Sequence, residues 1–230
     1  ELNDQEVISY LETNGHDIIT VHSEDLTPTF IKDHQDHKFI ISNFIKLSRE
    51  SKQCLQNCSY IIYEHDHKYL RTRNPGQYKD FSAPSEEIIN SDFYKNAEGI
   101  LCQSVFHESI IKKNLKLDNI INLGGNLWAE DVLDLFEDLS KKEKKQCCSI
   151  MDSPIPSKNT GVSIKFCLAK ELNHQLIKNS NYIDFLKELT ENDTLVFFPK
   201  TPETLSRIIV EARMAGMKVI TNSLVGAAHE

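Results

Sequence analysis

Short apolar runs alternate with helix-patterned stretches along almost the whole chain. That alternation restricts it to βαβ units built around mainly parallel sheets. Residues 1–14 carry apolar positions at Val7, Ile8 and Leu11 and stop at Gly15, which predicts a helix with a glycine end. Strands are expected at 16–22 (HDIITVH), 38–43 (KFIISN) and 59–63 (SYIIY), with a helix over 47–58. Residues 64–84 are polar, aromatic and irregular. Helix 85–96, strand 99–104, helix 105–115, strand 119–123 and helix 130–139 follow.

The charge run 141–145 (KKEKK) reads as a solvated helix end or linker, and the domain boundary is placed there. Beyond it the alternation restarts, with strands at 147–151, 174–177, 195–198 and 218–221. Helices are expected at 159–171, 182–191 and 203–215. Residues 162–168 fit both a strand's alternation and a helical face, and connectivity favours the helix. The expected architecture is α/β, with an N-terminal domain over 1–145 and an unusually small C-terminal one over 146–230.

Composition narrows the function classes. With 40% hydrophobic and 26% charged residues the chain is ordinary globular material, and its formal charge is −8. That balance argues against a generic grip on nucleic acid or an anionic membrane, while leaving room for an anionic ligand at one local site. No apolar run approaches the length of a membrane span. None of the six cysteines forms a CxxC pair, and reduced thiols in a cytoplasmic protein fit best. The chain opens on Glu1 at a helix start, which reads as part of a longer polypeptide.

The most informative stretch is 194–230, TLVFFPKTPETLSRIIVEARMAGMKVITNSLVGAAHE. Leu205, Ile208, Ile209 and Ala212 form an apolar stripe at helical spacing. Glu203 falls before that stripe and Glu211 on its flank, one at the mouth of a strand-to-helix crevice and the other further in. Open α/β sheets bind ligands there. Plainer readings also exist: Glu203 as a first-turn acid favoured by the helix dipole, and Glu211 as a surface partner of Arg207.

In order, Pro199, Glu203, Glu211-Ala212, Ala215-Gly216, Val219-Ile220, Gly226 and Glu230 resemble the C-terminal signature of retaining glycosyltransferases of the family 4, or group 1, kind. The resemblance implies a GT-B fold, two Rossmann-like domains facing a cleft, and sugar transfer from a nucleotide sugar without a metal or other cofactor. It implies that Glu203 meets hydroxyls of the donor sugar and that Glu211 accepts from the ribose. The loop from Asn222 to Gly226 would offer amides to the donor. Lys158, after the first strand of this domain, would face the diphosphate. The family often has Arg and Lys together there, whereas this chain has Lys158 and Lys165. Two further departures are a first strand with a Gly-rich loop ahead of the first helix, and a helix after Glu230, both usual in the family.

The densest polar cluster, YEHDHKYLRTRNP over 63–75, follows the SYIIY strand. His65 and His67 with their neighbouring carboxylates also have the composition of a divalent-metal site, the basis of a rival reading as a metal-dependent hydrolase. The resemblance extends more loosely to this region and implies a ligand-contacting loop. In it His65 acts near the reaction, and His67, Arg71 and Arg73 hold an acceptor or a phosphate. His107 reads as structural. A non-catalytic nucleotide or sugar binder of the same fold is the other alternative. The acceptor, whether glycan, lipid-linked or small molecule, is not legible.

Overall fold

The computed structural model describes residues 2–178 and 181–230. The chain divides into two compact units, Glu1–Leu127 and Trp128–Glu230.

In the first unit, four parallel strands, β1 (Lys38–Ile41), β2 (Ser59–Tyr63), β3 (Gly99–Cys102) and β4 (Ile120–Asn122), lie side by side in chain order. Helices α1 (Leu2–Thr13), α2 (Pro28–Asp33), α3 (Arg49–Leu55), α4 (Ser91–Lys95) and α5 (Val105–Leu115) accompany them. The central strands β2 and β3 carry much of the core, while edge-strand residues Ile40 and Ile121 stay exposed. Ile62 and Ile100 are fully buried, and Tyr60, Phe44, Phe93 and Tyr94 pack as an aromatic cluster. Gly15 ends α1 with φ +82°, the left-handed conformation that glycine adopts without strain.

Two expected elements of this unit are absent or reduced. Residues 16–22 form no ladder. Residues 17–22 and β1 both line a cavity of about 590 Å³. The helix expected over 85–96 shrinks to α4. Ahead of it the backbone is drawn into an antiparallel bridge between Leu70 and Ile88, with Ile89 N–H donating to Tyr69 C=O at 2.8 Å. That pairing consumes the groups a helix would need.

The second unit begins earlier than expected, at Trp128 rather than at 146. Helix α6 (Glu130–Ser140) buries Phe136 and Leu139 against Leu186 and Ala215, so its apolar face belongs to the second core. The sheet contains β5 (Lys145–Met151), β6 (His174–Ile177), β7 (Asn192–Phe197) and β8 (Lys218–Thr221), all parallel, in the order β6-β5-β7-β8. Helices α7 (Thr160–Ala169), α8 (Tyr182–Leu189) and α9 (Arg207–Met214) connect them. The chain leaves β5 toward one edge and returns past it to β7. The loops after β5 and β7 therefore diverge from a topological switch point, where such sheets open a crevice. The lysine run is only partly solvated: Lys144 Nζ donates to Leu139 and Thr190 carbonyls at 3.1 Å, and burial pulls its pKa down.

Candidate functional site

The switch point of the second unit brings together residues far apart in the chain. After β5, Thr160 Oγ1 donates to Met151 C=O at 2.9 Å and accepts from Ser153 N–H at 3.2 Å, folding the intervening loop back on itself. Lys200 N–H donates to Ser157 C=O at 2.8 Å, tying this loop to the one after β7. Lys158 Nζ consequently sits 2.8 Å from Glu203 Oε1 and 3.0 Å from Oε2. The side chains are 28% and 16% exposed, open enough for a ligand to reach and covered enough for the charges to matter.

Glu203 is outside the helix it was expected to open. Its N–H donates to Leu224 C=O at 2.8 Å, and its carbonyl accepts from Gly226 N–H at 3.0 Å, a parallel bridge onto the loop after β8. The first-turn reading of Glu203 is therefore corrected: its position is set by that bridge, and α9 starts at Arg207. Asn222 Nδ2 donates to Pro199 C=O at 2.9 Å while its Oδ1 accepts from Leu224 N–H at 3.0 Å, closing the loop around Glu203. The Gly226 amide is thus spent on Glu203.

Ser206, unnoticed in the sequence, caps α9 at φ +76° with its hydroxyl buried and, among the described residues, without a hydrogen-bond partner. A non-glycine residue held in that conformation stores strain, a feature that concentrates at functional sites. The only sequence signal was a serine in a Thr-Leu-Ser turn.

Glu211 is paired with Arg207 as the plainer reading supposed, at 3.4 Å, but it is not on the surface: it is 3% exposed. Its Oε1 also accepts from Trp128 Nε1–H at 3.1 Å and Tyr182 O–H at 2.7 Å. Burial, with the Glu211 charge, pushes the Tyr182 hydroxyl up to about 12, so it remains a donor. The Arg207 guanidinium lies 4.4 Å from the centre of the Trp128 ring.

In the first unit, the carboxyl end of β2 carries a dense polar network. His65 Nε2 lies 3.1 Å from Asp4 Oδ1, and His65 Nδ1 lies 3.0 Å from Gln103 Nε2. Gln103 donates to Nδ1, so the ring proton is on Nε2 and points to Asp4. Burial works to raise the Asp4 pKa, but its hydrogen bond and attraction to His65 outweigh that and lower it. His67 is 2% exposed, with Nδ1 3.0 Å from Tyr69 Oη. His65 and His67 are therefore engaged in separate interactions. Among the described residues, no group of three or more His, Cys, Asp or Glu is arranged to hold a metal ion.

Glu64 is fully buried, ion-paired with Lys68 at 2.5 Å and hydrogen-bonded by Tyr94 O–H. Burial disfavours the Lys68 charge, yet Glu64 and Asp66 together raise its pKa. Arg71 and Arg73 are exposed, facing Glu87 at 3.9 Å and Asp66 at 3.3 Å. His107 is structural as expected: it is fully buried, with Nε2 3.2 Å from Asp66 C=O and Nδ1 accepting from Gln103 N–H at 3.4 Å.

Among the described residues, no helix is long and apolar enough to cross a membrane. No family model matches the chain, and no curated protein matches it in sequence. Solved structures do. WaaG, a glycosyltransferase involved in lipopolysaccharide biosynthesis, superposes with a TM-score of 0.57 at 12% identity, over 99% of this chain and 78% of its own. Anabaena Alr3699/HepE, solved with UDP and glucose, gives 0.54 at 13% identity, over 97% and 72%. A glycosyltransferase from Rickettsia africae ESF-5 gives 0.52 at 14%, over 97% and 70%. At these identities the likeness establishes the fold: two α/β units, each with a four-stranded parallel sheet, as in glycosyltransferases.

Proposed function

We propose that this chain is a cytoplasmic glycosyltransferase that moves a sugar from a nucleotide sugar to an acceptor hydroxyl, with retention and without a metal. The observation that carries the reading is the Lys158–Glu203 pair at the switch point of the second unit. In the reaction the bond from the anomeric carbon to the diphosphate breaks and one to the acceptor oxygen forms. The acceptor loses a proton and a nucleoside diphosphate leaves. Protein groups contribute by placing charge where the diphosphate develops it. Lys158 supplies that charge, with the N-terminus of α7, which opens two residues later, assisting. Glu203 accepts from donor-sugar hydroxyls, Glu211 from the ribose, and the loop holding Asn222 and Gly226 shapes the wall beside them. In the first unit, His65 acts near the reaction and His67, Arg71 and Arg73 hold an acceptor or a phosphate.

Support for a nucleotide-sugar donor comes from the fold shared with HepE, which has been solved with UDP-glucose. A thermal-shift screen of UDP-, GDP-, ADP- and CMP-sugars, followed by assay of released nucleotide with and without a strong chelator, tests the reading. Turnover that survives chelation is the expected result. Stabilisation without turnover on any acceptor would make the chain a binder, and activity abolished by chelation would overturn metal independence.

A further inference from the structure

Glu211 presents its two carboxylate oxygens unequally. Trp128 Nε1–H, Tyr182 O–H and Arg207 Nε all converge on Oε1, at 3.1, 2.7 and 3.4 Å. Among the described residues, Oε2 accepts no hydrogen bond from a side chain or amide, and it is not among the fully buried atoms left without one. Two hydrogen bonds, from Trp128 and Tyr182, and the Arg207 ion-pair contact act on that one oxygen, restrict the rotation of the carboxylate and hold the other in a single direction. The three come from different places: Trp128 from the start of the unit, Tyr182 from the first turn of α8, and Arg207 from the first turn of α9. The Arg207 guanidinium also lies over the indole of Trp128, 4.4 Å from its centre, a cation–π contact that ties the two side chains together.

We infer that Trp128, Tyr182 and Arg207 are positioning residues whose task is to aim Glu211 Oε2 as the acceptor for a vicinal diol, the ribose of a bound nucleotide. This rests on the proposed nucleotide-sugar reading and adds to it the residues that set ribose recognition. A carboxylate anchored on one oxygen discriminates diol from deoxy sugar better than a freely rotating one, because no ordering cost is left for the ligand to meet. The geometry also makes Glu211 dependent on a residue 83 positions away in the chain.

The test is calorimetric titration of the whole chain with UDP and with 2′,3′-dideoxy-UDP, which lacks the diol. Wild type is expected to bind UDP at least about tenfold tighter than the analogue. Tyr182→Phe and Trp128→Phe each remove one donor while keeping the ring. Each is expected to weaken UDP about three- to tenfold and leave the analogue unchanged, so that the ratio collapses. A merely structural role would weaken both ligands alike, and that result overturns the inference, as does an unchanged ratio in both variants. If wild type binds UDP with no preference over the analogue, the positioning inference fails and the donor reading stands. If wild type binds no nucleotide from the UDP, GDP, ADP and CMP series, both fail. Should one variant not fold, the other decides.

Discussion

Lys158 Nζ reaches both carboxylate oxygens of Glu203, at 2.8 and 3.0 Å, across 45 positions of sequence. The pair is partly solvated, so its contribution to folding is modest, on the order of 1 kcal/mol or less. Its placement is at the divergence of two strand-to-helix loops. On the proposed reading, a diphosphate would draw Lys158 toward itself and free Glu203 for the sugar.

Replacing Glu203 by Ala is therefore expected to lower kcat by about two orders of magnitude, the size of effect seen when one electrostatic contact of a transition state is lost. The melting temperature should change little, since the backbone bridge to Leu224 and Gly226 does not need the side chain. Steady-state assay beside a thermal melt checks both halves. Full activity in Glu203→Ala would remove the residue from the mechanism.

Ser206 offers a stability test. Its φ of +76° costs a non-glycine residue roughly 1–2 kcal/mol. Its buried hydroxyl has no partner among the described residues, which adds a desolvation cost. Ser206→Gly removes both at the expense of greater freedom in the unfolded chain, so a net gain of about 1 kcal/mol is expected in urea unfolding. A loss of stability would show that the hydroxyl has an unrecognised partner.

The Glu64–Lys68 pair is the opposite case, because both side chains are buried. Glu64→Ala leaves the Lys68 ammonium without its main partner and should destabilise the first unit by about 3–5 kcal/mol. Adding Lys68→Met to that variant should recover a large part of the loss, since the stranded charge is then gone. Chemical denaturation of the two variants measures the difference. Equal stability of single and double variants would contradict it.

Acid should unfold the first unit through its histidines. Burial depresses His107 to about 3 from an ordinary 6.5, and burial likewise holds His67 well below its usual value. A depressed folded pKa means the unfolded chain binds more protons between those values. The stability from a neutral His107 is present above pH 6.5 and lost as pH falls toward 3, about 2 kcal/mol by pH 5. Burial raises Asp66, which acts in the opposite sense over the carboxylate range. His107→Gln should flatten the slope of stability between pH 6.5 and 4 when unfolding free energy is followed against pH.

Much of the element order was legible because it rests on local patterns. The SYIIY run became β2 over the same residues, Val105–Leu115 became α5 as expected, and the ambiguous 162–168 stretch became part of α7. Failures occurred where tertiary partners decide. Residues 16–22 have a strand's composition but pair with no strand, and 17–22 line a cavity that β1 also lines. The helical pattern before Arg207 loses to the bridge between Glu203 and Val225.

By itself, then, the sequence determined two tandem α/β units and an acidic chain with no membrane span in its pattern, and it singled out Glu203 and Glu211 as candidates. Only the tertiary structure decided what those carboxylates touch. Lys158 meets Glu203 because the order β6-β5-β7-β8 puts the loops after β5 and β7 at one switch point. Trp128 meets Glu211 because the second unit begins well before the lysine run, carrying α6 and Trp128, two residues ahead of it, into the second core. Periodicity reports which face of an element is buried, but it carries no information about which distant side chain will share the burial.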